Sequence, residues 1–495
     1  MNLMFLWEDY MEKIFENNSK SKVKDGFNDT FMDGVLRKSC VKGESFVDRE
    51  KSKIIDKVYK KIYMTVKSKF YISLVLASFW VAVSVIWSLS WINDLSELVH
   101  PVLAVFIIGG VAYVPGFMNA FLISSLLLDR QAKIKNPCLV DDDVTLLISA
   151  WNEGAGIYNT LKYVKQQTYK GNIKVIVINN NSTDNTELEV KRASKELDMN
   201  ITLLREPTPG KFNALNHGLK YVKTEFVITL DADTLLHKDA IGYLVSRAKV
   251  SSPEVCAVAG SMLVRNSRDN LLSKIQEWDY FLSIASIKRM QGLYQGTLVA
   301  QGAFSLYRTD VVTEVGGWSD AIGEDIVLTW KMLAMNKKVY FESMAVAFTD
   351  VPTKLSHFIK QRSRWARGMI EGIREVKPWE QPSILTKFST GIDLIIPYMD
   401  FSYTFFWIPG LILALFFGNY AIVEPMMILV LPLTLISFGI LYYYQANYVF
   451  KTLNLKVRKN NIGFVFFILT YQMIMSPVSL YGYVQELFGA KRVWK

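Results

Sequence analysis

Five stretches of this chain are long and apolar enough to cross a lipid bilayer, and they limit most of what it can fold into. A spanning helix needs about 20 apolar residues, because its rise must match the hydrocarbon thickness and its backbone groups must bond internally. The stretches run from Phe70 to Asn93, Pro101 to Leu128, Phe401 to Val423, Pro425 to Phe450 and Asn461 to Gln485. The first follows a long charged segment, so it reads as a retained anchor and not a cleaved signal. A mean hydropathy of +0.17, with 51% apolar residues against 21% charged, excludes a disordered or low-complexity chain.

Lys57, Lys60, Lys61, Lys67 and Lys69 crowd the near side of the first span, whereas Asp94 and Glu97 separate it from the second. Cytoplasmic loops carry the excess of Lys and Arg, so the N-terminus is expected in the cytoplasm. Arg130, Lys133 and Lys135 follow the second span and return the polar stretch from Asp129 to about Met399 to that side. The expected protein is multi-pass in the plasma (inner) membrane. It has a charged segment over 1–69, two spans in 70–128, a cytoplasmic domain over 129–353, interfacial amphipathic helices over 354–400 and further spans in 401–495. Three C-terminal spans would leave Lys491, Arg492 and Lys495 outside while Lys451 to Lys459 stays inside. A re-entrant hairpin broken at Pro477 would remove that conflict. Segment 1–69 reads either as a helical surface module or as a solvated arm.

Lys and Arg number 56 and Asp and Glu 46, a net charge of +10 that suits nucleic acid, anionic lipid or a phosphorylated substrate. The cations lie beside spans and in one amphipathic helix, not along a nucleic-acid-binding module, so no nucleic-acid partner is expected. Cys40, Cys138 and Cys256 have no paired spacing and read as inert thiols. His100, His217, His237 and His357 form no HxxxH pair and read as structural.

From Val144 the pattern changes to short apolar strands alternating with helical stretches, as in a largely parallel α/β sheet. Strands are expected over Val144–Ala150, Lys174–Asn179 and Phe226–Leu230. They end at Trp151-Asn152-Glu153, at Asn180-Asn181-Ser182-Thr183-Asp184 and at Asp231-Ala232-Asp233. Open α/β sheets bind ligands outside the carboxyl ends of their strands, so a shared nucleotide cleft is expected there. Asp231 and Asp233 offer hard oxygens suited to Mg²⁺ or Mn²⁺ beside a diphosphate, or they simply end a strand and cap a helix.

Pro209-Gly210-Lys211-Phe212-Asn213-Ala214-Leu215-Asn216 places a cation at a helix start, where it can meet phosphate or serve only as a loop and cap. Gln301-Gly302-Ala303-Phe304 and Gly316-Gly317-Trp318 precede Gly323-Glu324-Asp325, which opens the apolar-periodic Ile326–Leu333. A carboxylate there is a cap or a general base. Gln361-Arg362-Ser363-Arg364-Trp365-Ala366-Arg367 lies on a helical stretch. It reads either as a cationic helix at a membrane surface or as arginines clamping phosphate beside a Trp that stacks on sugar.

In that order these motifs resemble the processive, inverting family-2 glycosyltransferases, which include cellulose, chitin, hyaluronan and poly-N-acetylglucosamine synthases. The resemblance covers about Val144 to Glu375 plus the flanking spans. It implies a Rossmann-like GT-A α/β domain in the cytoplasm, joined to a helical transmembrane domain of about five spans plus interfacial helices. It further implies that Ala150, Trp151 and Glu153 line a uridine pocket, Lys211 lies near the diphosphate, Asp231 contacts the nucleotide and Asp233 binds Mg²⁺ or Mn²⁺. Asp325, with Glu324 beside it, would be the catalytic base. Gln361, Arg364 and Trp365 would close over the donor and receive the chain, and Gly302, Ala303 and Phe304 would sit at the acceptor terminus. Most relatives are acidic in the loop after the second strand. This chain has Asn179, Asn180 and Asn181, so Asn180 and the carboxylate of Asp184 are the expected contacts to uracil or ribose. Trp151 replaces the usual Tyr or Phe.

The expected reaction is displacement at the anomeric carbon of a UDP-sugar by a growing polysaccharide. The product would leave among the spans past Trp407, Tyr442, Tyr443, Tyr444, Gln445, Tyr471 and Gln472, unless these form an interfacial aromatic belt. Gly323-Glu324-Asp325, Val351-Pro352-Thr353 and the Arg-Trp-Ala-Arg-Gly368 continuation are most similar to poly-β-1,6-N-acetylglucosamine synthases, with hyaluronan and chitin synthases close. Membrane lipid and a small accessory membrane subunit are the further partners. A non-processive glycolipid-forming transferase and a catalytically silent export or scaffold subunit are the alternatives.

Overall fold

A computed structural model describes residues 64–129, 134, 137, 140–424 and 430–491. Residues 1–63 of the expected N-terminal module or arm lie outside them. So do Cys40, Cys138, Lys57, Lys60, Lys61, Arg130, Lys133, Lys135, Arg492 and Lys495.

Eight strands form one mixed sheet: β1 Val144–Ala150, β2 Ile173–Asn179, β3 Ile201–Arg205, β4 Phe226–Asp231, β5 Leu235–Leu236, β6 Val255–Val264, β7 Phe304–Arg308 and β8 Lys338–Thr349. Their order is β3-β2-β1-β4-β7-β6-β8-β5. The first four strands in that order run parallel, as helical crossovers require; β1 and β4 are mostly buried and mainly apolar, while the edge strand β3 is only half-buried. The expectation of a largely parallel sheet holds only for that half. β7 returns antiparallel against β4 and β6, while β6 and β8 are parallel to each other.

Register decides where the chemistry goes. Ala150 is paired with Asn179, and Ser149 with Asp231, so three strands end on one edge. Because β7 runs the other way, its start meets that same edge: Phe304 pairs with Leu230, and the Asp231 N–H donates to the Ala303 carbonyl at 3.1 Å.

Helices complete the layers. Among the described residues four are long and apolar enough to cross a membrane: α1 Val66–Trp87, α2 Pro101–Leu128, then Ile384–Phe417 and Asn461–Leu487. The third begins at Ile384, well before Phe401 and inside the stretch assigned to interfacial helices. Lys387, Asp393 and Asp400 had masked its apolar face. Asp400 is satisfied within the helix bundle, accepting from Ser476 and Tyr483 at 2.8 Å each. The fourth expected span corresponds to Val430–Tyr444 with a π-helical turn over Gln445–Phe450, residues 425–429 lying outside the described residues. Asn461–Leu487 runs helically through Pro477, so the re-entrant hairpin raised as an alternative is not formed.

Three helices of the α/β domain carry site residues: α3 Lys211–Leu219, α4 Glu324–Ala334 and α5 Leu355–Glu375. With the spans α6 Ile384–Phe417 and α7 Asn461–Leu487, they connect the sheet to the apolar helices. α5 lies against α7 closely enough that a Cβ on Gly482 would sit 2.5 Å from the Ser363 carbonyl oxygen. The Arg367 Nε lies 3.1 Å from Glu486 at the end of α7. Two of the residues named for an export path make polar contacts within the fold. The Tyr444 ring lies 3.3 Å from the Arg289 guanidinium, and the Tyr471 hydroxyl donates to Asp279 at 2.6 Å.

A close contact between backbones lies at the site itself. A Cβ on Gly323 would stand 2.7 Å from Cα of Gly368, backbone that cannot swing aside. Gly323→Ala is therefore expected to cost about 1–3 kcal/mol by overpacking. A thermal melt in detergent should show the lower midpoint, with transfer reduced because Asp325 is two residues away.

Candidate functional site

One cavity of about 510 Å³ opens at the carboxyl edge of β1, β2 and β4. Its wall contains Ala150, Trp151 and Glu153 from the loop after β1, Asn180, Asn181 and Thr183 after β2, Gly210 and Lys211 at the start of α3, Asp231 and Asp233 after β4, and Arg364 from α5. Eight expected residues do not line it: Asp184, Gly302, Ala303, Phe304, Glu324, Asp325, Gln361 and Trp365.

The loops are held by their own polar side chains. Asn152 and Asn181 have positive φ, a conformation Asn tolerates better than most residues. The Asn152 side-chain oxygen accepts the Thr183 N–H at 2.8 Å, and Asp184 accepts the N–H groups of Gly154 and Thr186 at 2.9 and 3.0 Å. Asp184 thus joins the two loops, and it stands outside the cavity lining. Asn180 acts similarly: its amide donates to the Glu206 and Thr208 carbonyls, while its oxygen accepts the Gly210 N–H at 2.8 Å. It fixes the approach to Lys211. Gly210 itself has φ +132°, which favours glycine. Asn216 exchanges two bonds with the backbone of Trp318, tying α3 to the Gly316-Gly317 turn.

Lys211 is the electrostatic centre. Its Nζ lies 2.5 Å from Asp231 Oδ1 and 3.8 Å from Glu324 Oε1. Burial acts to lower its pKa, but the Asp231 and Glu324 carboxylates outweigh that and hold it above the usual lysine value. Asp233 is pushed up to about 6 by burial and by the neighbouring Asp231 carboxylate.

Asp325 opens α4 next to this track. Its Oδ2 accepts the Gly302 N–H at 3.0 Å and its Oδ1 accepts the Ile326 N–H at 2.9 Å. Gly302 passes so close to the lysine that a Cβ on it would lie 2.9 Å from Lys211 Nζ. The loop leading into α4 is fixed by Glu371 of α5, whose Oε2 accepts the N–H groups of Ile322 and Gly323 at 2.6 and 3.0 Å. Phe304 is fully buried in β7 against Gly260, so its side chain does not reach an acceptor. The arginines also divide. Arg364 faces the cavity, whereas Arg362 pairs with Asp279 and Arg367 with Glu486, so one arginine of the three is left for phosphate.

Glu324 is buried, and that burial together with the Asp325 charge pushes its carboxyl up to about 7 from the ordinary 4.5. A folded pKa raised this way contributes stability that is present below pH 4.5 and is lost as pH rises through about 7. The melting temperature of Glu324→Gln, measured against the parent across that window, is expected to rise from acid to neutral pH and then stay flat. A difference independent of pH would contradict this placement of the carboxyl.

Sequence reasoning missed Lys288, Glu371 and the Arg362–Asp279 pair. Lys288 donates to the Val299 carbonyl at 3.1 Å and to the Gln301 side chain, shaping the segment that presents Gly302. Burial pushes its ammonium down to about 7. No local pattern marks these residues, because their partners are distant in sequence. Cys256 is a buried free thiol pushed up to about 12 by burial, as an inert thiol should be.

The donor set suits a hard divalent cation. Three carboxylates line the cavity, with Asp231 and Asp233 together after β4 and Glu153 in the loop after β1, and among the described residues no group of three or more His, Cys, Asp or Glu forms a closed metal cage. Mg²⁺ and Mn²⁺ commonly take one or two protein carboxylates and complete their coordination with phosphate oxygens and water.

These features define an α/β domain of the GT-A type. Residues 142–368 match the family described as Glycosyltransferase like family 2. A poly-β-1,6-N-acetyl-D-glucosamine synthase of Staphylococcus aureus is 35% identical over 228 residues, covering 46% of this chain and 54% of that protein. One of Staphylococcus epidermidis is 32% identical over 259 residues, covering 52% and 62%. The chain thus spans little more than half the length of these relatives. The fold is shared with a mannosyltransferase from Pyrobaculum calidifontis solved with GDP-Man and Mn²⁺. The TM-score is 0.51 at 19% identity, with 78% of this chain and 98% of that one covered.

Proposed function

We propose that this chain is a membrane-embedded, inverting, UDP-sugar-dependent hexosyltransferase. In this reading it polymerises UDP-N-acetylglucosamine into poly-β-1,6-N-acetylglucosamine and passes the growing chain across the plasma membrane. The observation that carries the reading is a continuous charged track beside one cavity. It runs from Asp231 through Lys211 to Glu324, with contacts of 2.5 and 3.8 Å, and reaches Asp325 through Gly302. The relatives named above support the choice of sugar and linkage.

In this reading Ala150, Trp151 and Glu153 hold the uridine while Lys211 and Arg364 hold the diphosphate. Asp233, with Asp231 beside it, would hold Mg²⁺ or Mn²⁺, which supplies positive charge against the departing UDP. Asp325, oriented by the Gly302 N–H, takes the proton of the acceptor hydroxyl as that oxygen bonds to the anomeric carbon. The bond to UDP breaks on the opposite face, so an α-linked donor gives a β-linked product. Gly302 and Ala303 line the acceptor end, and Gln361 and Trp365 of α5 flank it.

The test is incubation of purified protein in lipid nanodiscs with radiolabelled UDP-N-acetylglucosamine and Mn²⁺. The expected product is high-molecular-weight polymer with β-1,6 linkage by mass spectrometry. Label confined to one sugar on lipid would identify a glycolipid-forming transferase. A requirement for UDP-glucuronic acid would identify a hyaluronan-type synthase. Folded protein that releases no UDP from any UDP-sugar would leave an export or scaffold subunit.

A further inference from the structure

Arg362 stands between Gln361 and Arg364 of the site helix but turns away from the cavity. Only 3% of it is exposed. Its Nη2 lies 2.9 Å from Asp279 Oδ2, and that same oxygen accepts the Tyr471 hydroxyl of α7 at 2.6 Å. Its Nε is buried with no hydrogen-bond partner. A guanidinium buried against one carboxylate is costly unless other contacts offset it. Here aromatic rings supply them: the guanidinium carbon lies 4.2 Å from the centroid of Trp365, 5.2 Å from Phe358 and 5.7 Å from Tyr280. A desolvated cation over an indole is among the stronger aromatic contacts, and a planar guanidinium also stacks, which an ammonium does not.

Trp365 is therefore packed from the interior by a fixed charge while the ring stays 38% exposed beside Arg364 of the cavity wall. Asp279 sits in a π-helical turn, Asp279–Ile284, a distortion that recurs at functional positions. The turn aims the carboxylate at Arg362 and Tyr471 together.

We propose that Arg362 is a positioning residue for the acceptor: it sets the plane of the Trp365 indole, and Asp279 and Tyr471 fix Arg362 in turn. The inference rests on the glycosyltransferase reading, since it assigns Trp365 the acceptor sugar. It differs from a purely structural ion pair because Arg362 acts only through Trp365.

Two measurements test it. The first is the emission spectrum of Trp365, taken as parent minus Trp365→Phe. Arg362→Met is expected to shift this difference spectrum, and an unchanged spectrum overturns the proposal whether or not the protein proves active. The second is a double-mutant cycle on transfer to an oligosaccharide acceptor. Arg362→Met is expected to raise the acceptor KM about tenfold with the donor KM unchanged, and to have no further effect when Trp365 is already Ala. Arg362→Lys keeps the charge without the plane and is not expected to rescue. Should Arg362→Met fail to fold, Tyr471→Phe removes one bond to Asp279 and is expected to change the acceptor KM in the same direction, again only when Trp365 is present. Equal losses with and without Trp365 would make the cluster structural. A parent that releases no UDP would instead defeat the glycosyltransferase reading, leaving the spectral result to decide on Arg362.

Discussion

Asp325→Asn is expected to lower sugar transfer by about 10²- to 10⁴-fold, the usual contribution of a positioned general base. Asn is nearly isosteric and its oxygen can still accept the Gly302 N–H, which Asp325 accepts at 3.0 Å. What disappears is an oxygen able to take a full proton. Donor affinity should stay within about threefold of the parent, because Asp325 does not line the cavity where the nucleotide is proposed to sit. UDP release and equilibrium binding of a UDP-sugar, measured on the same preparation, separate the two effects. Transfer within a few-fold of the parent would remove Asp325 from the role of base. Asp233→Asn should differ in kind, weakening donor binding mainly in the presence of Mn²⁺.

Lys211→Met should be nearly as damaging, for a different reason. The lysine is the cation shared by Asp231 and Glu324, with Asp325 also within its electrostatic reach. Removing one member of a buried pair leaves its partner's charge unmatched, a cost of about 3–5 kcal/mol when burial is complete. Here the two side chains retain 22% and 35% exposure, so solvent screens part of that and about 2 kcal/mol is the better expectation. The melting midpoint should fall and donor affinity should drop about tenfold or more, since the diphosphate loses its lysine. Lys211→Arg should recover stability better than donor binding, because the guanidinium keeps the charge but needs more room beside Gly302. A Met variant that melts and binds donor like the parent would show that the lysine is not the centre of the site.

The parts of this site that were legible in the sequence are those set by local pattern. β1 and β4 are mainly apolar runs followed by polar residues, so Trp151, Glu153, Asp231 and Asp233 could be placed at strand ends from the sequence. Lys211 and Asp325 stand at helix starts, marked by Gly210 and Gly323. The antiparallel return of β7 was not legible, because an apolar run carries no sign of direction. That return brings Ala303 to Asp231 and also buries Phe304. That Asp184 also joins two loops was not legible, because the Gly154 N–H it accepts lies 30 residues away in the chain. The early start of α6 was hidden for a related reason: Asp400 is compatible with a span only because Ser476 and Tyr483, far along the chain, satisfy it.

The contact between Gly323 and Gly368 divides the site into a part that tolerates sequence drift and a part that does not. Where two backbones touch without side chains, neither helix can gain an atom, so this contact sets the distance from the base to the helix carrying Arg364 and Trp365. Diversification toward other sugars must then come from the outer lip, where Asn181 and Thr183 border the opening. A saturation library should recover active variants at those two positions and almost none at the two glycines.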